Sequence, residues 1–190
     1  MADGGTTGLR LATPQSDHKK AFLGSFGQLT EKQDQFDWMY LGDKADLSFP
    51  SADFEGYVRT LLLRQTVAPD GFVCDTTYWA LMGDDMVGRI SLRHELNDFL
   101  RKVGGHIGYI VHPLWRRKGI AAWMLAEVLR TEKARSIGRL LITCDVTNIA
   151  SEKTILKNGG VYTGTVSLGD SRSAKKHFWV DLTKEKTGLV

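Results

Sequence analysis

Residues 105–122 read GHIGYIVHPLWRRKGIAA, and the order of residue types in this stretch decides the fold. Residues 106–112 are rich in strand formers, Pro113 stops the strand, a basic turn follows, and a helix opens on glycine and small residues. The first turn of any helix carries N–H groups with no internal partner, and its aligned peptide dipoles leave about half a positive charge there. Gly119 and Ala121 allow a phosphate to approach the backbone, while Arg116, Arg117 and Lys118 bring charge to the approach. A pyrophosphate suits such a place. Without the preceding strand, Arg-Arg-Lys-Gly would read as a solvated surface loop.

Working outward from this stretch, an antiparallel hairpin precedes it: 77–82 and 87–92 are strand-like and Gly83-Asp84-Asp85 is turn chemistry. Earlier still, 9–12 predicts a first strand, and a helix runs through Lys19, Lys20, Phe22 and Leu23, weakened by Gly24. Phe36, Met39 and Tyr40 predict a turn or two of helix. Ser51 or Asp53 caps another, whose apolar positions Phe54, Tyr57, Val58, Leu61 and Leu62 recur at three and four residues. On the C-terminal side, Ile120, Met124, Leu125, Val128 and Leu129 form one helix face, in a helix that Gly138 closes. Residues 140–144 predict a buried strand, 148–157 a helix stopped by Asn158-Gly159-Gly160, and 161–166 and 177–182 two late strands. This order belongs to the α+β or mixed α/β class.

A chain of 190 residues suits one domain, placed at 9–184 between a lead-in at 1–8 and a tail at 185–190. With 42% hydrophobic and 25% charged residues and no apolar run near the ~20 needed to cross a bilayer, no membrane insertion is expected. The N-terminus lacks the basic-then-apolar order of a secretory signal, which predicts a cytoplasmic protein. Cys74 and Cys144 have no companion at metal-ligand spacing, so free thiols and no metal are expected. A net charge of +3 is too mild for a nucleic-acid partner.

Arg116 to Ala121 matches the (Q/R)-x-x-G-x-(G/A) motif of the GNAT superfamily, whose members are acyl-CoA-dependent N-acyltransferases, and it follows a strand ending in Val-His-Pro as that family's motif does. Residues 141–151, LITCDVTNIAS, resemble the family's later strand and the Asn-x-x-(Ala/Ser) opening of its next helix, and Lys157-Asn158-Gly159-Gly160 stands near its Lys-x-Gly-Phe. The likeness covers about 77–162 and extends to a subgroup of predicted acetyltransferases without assigned substrates. It implies a mixed, mostly antiparallel twisted sheet flanked by helices, with acetyl-CoA as cosubstrate and a primary amine on a small molecule, peptide or protein as acceptor. It further implies that the amides of Arg117, Gly119 and Ala121, with Arg116, Lys118, Ile120 and Ala122, hold the pyrophosphate of CoA. Tyr109, Ile110 and Val111 would pair along the pantetheine arm like an added strand. Asn148 and Ser151 would lie near the cofactor's lower arm, and both also suit the capping of a helix start. A homodimer is a reasonable expectation from relatives.

One position departs from the family. Seven residues after the Asn, where many relatives carry a Tyr that serves the leaving thiolate, this chain has Ile155; Tyr162 and Tyr109 are substitutes by proximity. An attacking amine must lose a proton, and His106 is the first candidate base, with His94 and Glu95 behind it; a lone histidine at a strand end also serves as hydrogen-bonded scaffolding. His18 and His177 look peripheral. Trp38, Tyr40, Tyr57, Tyr78 and Trp79 either line an acceptor pocket or pack the core. Ile155 favours a second reading, a noncatalytic acyl-CoA-binding module. A nucleotide-phosphate enzyme ranks last, since the chain has neither a P-loop Lys-Ser/Thr nor a dinucleotide glycine triplet.

Overall fold

The computed structural model describes residues 8–41, 45–167, 169 and 174–183. Apart from Gly8, the expected lead-in and tail lie outside these residues. The expected class holds, but the strands divide into two sheets rather than one. In the first, β1 (Leu9–Ala12), β2 (Asp75–Met82), β3 (Asp85–Arg93) and β4 (Ile107–Val111) lie side by side in that order. In the second, β5 (Arg139–Asp145), β6 (Val161–Val166) and β7 (Lys175–Asp181) take the order β5, β7, β6. Every pairing within the two sheets is antiparallel.

Helices cover both faces. α1 (Lys19–Phe26), α2 (Lys32–Met39) and α4 (Phe54–Leu63), with the short α3 (Phe49–Ala52), bury Phe22, Trp38, Met39 and Tyr57 against Trp79, Leu81 and Met86. On the other face, α5 (Ile120–Leu129) and α7 (Ile149–Lys157) bury Met124, Leu125 and Ile155 against Ile90, Ile107, Ile142 and Phe178. β2 is buried on both faces because it lies between the two clusters, with Trp79 in one and Ala80 in the other. Asp53, one of the two expected caps, starts α4 by accepting from Gly56 N–H at 2.8 Å.

Three details depart from the sequence reading. The helix expected to run to Gly138 is two helices: α5 ends at Leu129, and Thr131 Oγ1 accepts from Ala134 N–H at 3.2 Å to start α6 (Glu132–Ile137). Helical periodicity survives such a break, because a local hydroxyl cap competes with the continuing backbone ladder. α1 runs past Gly24 to Phe26, beyond the Leu23 at which the sequence reading stops. The stretch before β4, to which the sequence assigns no element, contains a π-helical turn, Leu100–Gly104, and Asn97 Oδ1 accepts from Leu100 N–H at 2.9 Å.

The two sheets meet at one seam. His106 N–H donates to Leu141 O at 2.7 Å, and Leu141 N–H donates back to His106 Nδ1 at 2.9 Å. Gly105 makes the approach possible: at φ 61°, a Cβ there would lie 2.5 Å from Leu141 O. Among the described residues, no backbone ladder joins β4 to β5 beyond this seam, so the edge of β4 that faces β5 stays open. No helix among the described residues is long and apolar enough to cross a membrane.

Candidate active site

A cleft of about 840 Å³ opens between β4 and β5. At its head the chain leaves β4, makes a 3-10 turn at Pro113–Trp115, and enters α5 through two left-handed residues, Arg117 at φ 68° and Gly119 at φ 79°. Left-handed residues alternating with ordinary ones turn successive N–H groups to one side, forming an anion-binding concavity. The non-glycine member is costly, which marks a site that the surroundings hold in place. The first backbone bond of the helix is Trp123 N–H to Gly119 O, 3.0 Å. Before it, the N–H groups from Arg117 to Ala122 make no hydrogen bond among the described residues. A Cβ on Gly119 would meet nothing within 4 Å, so the space above these amides is open.

The basic side chains divide their work. Arg116 turns back, donating from Nε to Val111 O at 3.2 Å and reaching Asp34 of α2 at 3.5 Å. Lys118 lies over the Trp115 ring, its Nζ 4.3 Å from the centroid. Arg117 is exposed and unpaired among the described residues. Asn158 holds the two cleft helices together, donating to Ala122 O at 3.1 Å and Thr154 O at 2.9 Å.

Lower in the cleft, Tyr109 projects from β4 towards the start of α7. Its hydroxyl lies 2.7 Å from Ser151 Oγ, and burial pushes its pKa up to about 12, against the smaller opposing effect of that bond. Asn148 Oδ1 accepts from Ser151 N–H at 2.9 Å, so Asn148 caps α7, and both residues line the cleft. Of the twelve positions expected to bind cofactor, all but Lys118 line the cleft. Trp115, Cys144 and Thr154 line it as well and carried no sequence signal of their own. Ile155 is fully buried in the core, with no exposure.

The three expected base candidates do not line this cleft. His106 is 6% exposed, and its Nδ1 is taken by Leu141; burial holds its pKa down to about 4. It fastens the two sheets. His94 lies 2.9 Å from Thr76 Oγ1 through Nε2, and its pKa is lowered chiefly by burial; Glu95 is exposed beside it. His112, at the far end of β4, packs edge-on against Trp38 and bonds Ser25 O at 3.1 Å, and its pKa is lowered chiefly by burial.

A second, smaller cavity of about 270 Å³ adjoins the cleft, with Arg93 bordering both. It lies among α2, the end of α4 and the π-helical turn. Of the five aromatics considered for an acceptor pocket, Tyr40 lines it, whereas Trp38, Tyr57 and Trp79 are fully buried core.

Residues 9–161 match the family model described as the acetyltransferase (GNAT) domain. The chain belongs to the GNAT family. No curated protein sequence matches it at the significance threshold. Similar solved structures are GNAT enzymes of low sequence identity. RimL, a ribosomal-protein α-N-acetyltransferase in complex with coenzyme A, is 17% identical at a TM-score of 0.64, over 94% of this chain and 96% of that one. A ribosomal-protein-alanine acetyltransferase from Vibrio fischeri is 13% identical at 0.64, over 92% and 93%. Spermidine N-acetyltransferase from Vibrio cholerae, in complex with CoA and spermine, is 11% identical at 0.61, over 94% and 98%. At such identities the likeness is one of fold. It covers the N-terminal helices as well as the cleft.

Proposed function

We propose that this GNAT chain transfers an acetyl, or another short acyl, group from acetyl-CoA to a primary amine by direct attack on the thioester. The observation that carries the reading is the run of unpartnered amides from Arg117 to Ala122 at the head of a cleft whose floor is an open strand edge. A pyrophosphate supplies the anion for those amides, and the amide-bearing pantetheine arm supplies the partner for the β4 edge at Tyr109, Ile110 and Val111.

The acyl thioester then lies near the middle of β4, beside Tyr109. The amine attacks the carbonyl carbon as its free base, and its second proton passes to water. As the tetrahedral intermediate collapses, the C–S bond breaks and the sulfur takes a proton. Tyr109 is placed to give that proton, since burial keeps it protonated and Ser151 orients its hydroxyl. A tyrosine from the opposite wall of the cleft thereby replaces the one missing at Ile155, and Ser151 links it to solvent for reprotonation.

The test is calorimetric titration with acetyl-CoA, followed by measurement of free thiol in the presence of an amine panel. Binding together with amine-dependent thiol release is expected. Failure of CoA to bind would remove the reading, and tight binding without release on any amine would leave only the binding module that Ile155 first suggested.

A further inference from the structure

The smaller cavity has chemistry of its own. Arg64 and Asp75 form its inner wall as a buried pair, 2.5 Å apart, with Arg64 also donating to Tyr40 O at 2.8 Å. Its two Nη groups are engaged, while its buried Nε has no partner. Two other arginines also keep unpartnered groups. Arg89, 4% exposed, lies 4.1 Å from the Tyr40 ring centroid and donates from Nε to Asp37 O, but its buried Nη1 has no partner. Arg93 donates through Nη1 to the carbonyls of Gly104 and Gly105, both at 3.1 Å, while its Nε and Nη2 make no hydrogen bond among the described residues. Asp37 is the remaining carboxylate on the wall. Beyond the Arg64–Asp75 pair the wall therefore carries one cation and one carboxylate, and the free edge of Arg93 is the group left to take an anionic partner from outside.

The rim has the opposite character. Phe72 and Phe99 border the cavity and are 53% and 57% exposed, apolar rings left in water at its mouth. At about 270 Å³ the cavity falls below the ~300–1,000 Å³ of sites for drug-sized ligands. Its size suits a single small molecule rather than a folded partner.

We propose that this cavity is the acceptor site and that the acceptor is a free amino acid with an apolar or aromatic side chain. The proposal rests on the transferase reading above. The carboxylate takes the free edge of Arg93, the side chain lies between Phe72 and Phe99, and the α-amine points across Arg93 into the cleft, because that residue borders both spaces. A polyamine would offer no anionic group to the free edge of Arg93.

The test compares phenylalanine and leucine with their primary amides and with spermidine, reading thiol release by the whole chain with saturating acetyl-CoA. A charge-assisted bond lost with the carboxylate predicts kcat/KM at least about 10-fold higher for the acids than for the amides. This holds even though the amides offer more free amine at neutral pH. Arg93→Gln should raise KM for the acids by about 10-fold and erase the preference over the amides. Phe72→Ala, at an exposed ring where the fold tolerates change, should raise KM for phenylalanine more than for glycine. Equal use of acids and amides, or CoA binding with no thiol release on any carboxylate-bearing amine, overturns the acceptor proposal and leaves CoA recognition standing. If acetyl-CoA itself does not bind, the transferase reading falls and takes this one with it.

Discussion

The cleft between β4 and β5 and the cavity beneath Tyr40 share Arg93, yet they are built for recognition in different ways. On the reading proposed above, the cleft would recognise its ligand chiefly through backbone: six successive unpartnered amides, an open strand edge and two left-handed residues. In the cavity the walls are mostly side chains, from α2, the residue that follows α4, β2, β3, the π-helical turn and the loops beside them, brought together only by folding. A backbone site tolerates sequence change as long as local conformation is kept, so a family can share it while its sequences diverge. A side-chain site changes ligand with a few substitutions.

The largest expected effect tests whether the cavity depends on its buried pair. Arg64→Ala leaves Asp75, 1% exposed, without its charged partner, and breaking such a pair costs about 3–5 kcal/mol. Chemical denaturation should show that loss, whereas Lys118→Ala, at the exposed turn, should move the midpoint little. A change under 1 kcal/mol for Arg64→Ala would mean that Asp75 is held neutral without help, consistent with burial raising its pKa against the pull of Arg64.

Next in size is Tyr109, the one side chain in the cleft to which chemistry is assigned. Tyr109→Phe should lower kcat by about 100-fold or more while leaving the dissociation constant of CoA within a factor of two or so. Loss of CoA affinity with kcat intact would reassign Tyr109 to binding and make the cleft wholly a backbone site.

Third comes the head of the cleft. Gly119→Val places a branched side chain at φ 79°, where it is strained, and fills the space above the amides. Losing one or more charge-assisted bonds to a phosphate weakens CoA binding by about 10-fold or more. Because strain also lowers stability, the thermal midpoint is measured beside the affinity. An unchanged dissociation constant in a folded variant would move the pyrophosphate elsewhere.

The same contrast explains what was legible in the sequence. Gly119, Ala121 and the strand before them mark the cleft because anion recognition by a helix start is local, set by residues that are neighbours in the chain. Asn148 and Ser151 were legible for the same reason: capping is local too. The cavity was not, because Asp37, Arg64, Asp75 and Arg93 lie far apart in sequence and nothing in their spacing foretells contact. Arg93 looks like an ordinary strand-end cation until its Nη1 is seen against the carbonyls of Gly104 and Gly105. The break at Thr131 escaped because apolar periodicity continues across it, and the π-helical turn because five residues are too few to show a period.

His106 belongs to neither region and gives the smallest and sharpest test, since as base it would act in the cleft and as fastener it joins the sheets. Burial lowers its folded pKa to about 4, below the 6.5 of an exposed histidine. Above pH 6.5 both folded and unfolded chains keep it neutral, and its contribution to stability is complete. As pH falls from 6.5 towards 4, the unfolded chain takes up a proton that the folded one excludes, so stability declines through that window. His18, His94 and His112 are shifted in the same direction by burial and add to the decline. His106→Gln keeps an oxygen for Leu141 N–H but cannot titrate. It should cost about 1 kcal/mol at pH 7, flatten part of the acid loss of the melting temperature, and leave the pH profile of kcat/KM unchanged in shape. If instead the acid limb of kcat/KM disappears while the melting curve keeps its pH dependence, the histidine takes the proton of the attacking amine, and the seam between the sheets is part of the catalyst.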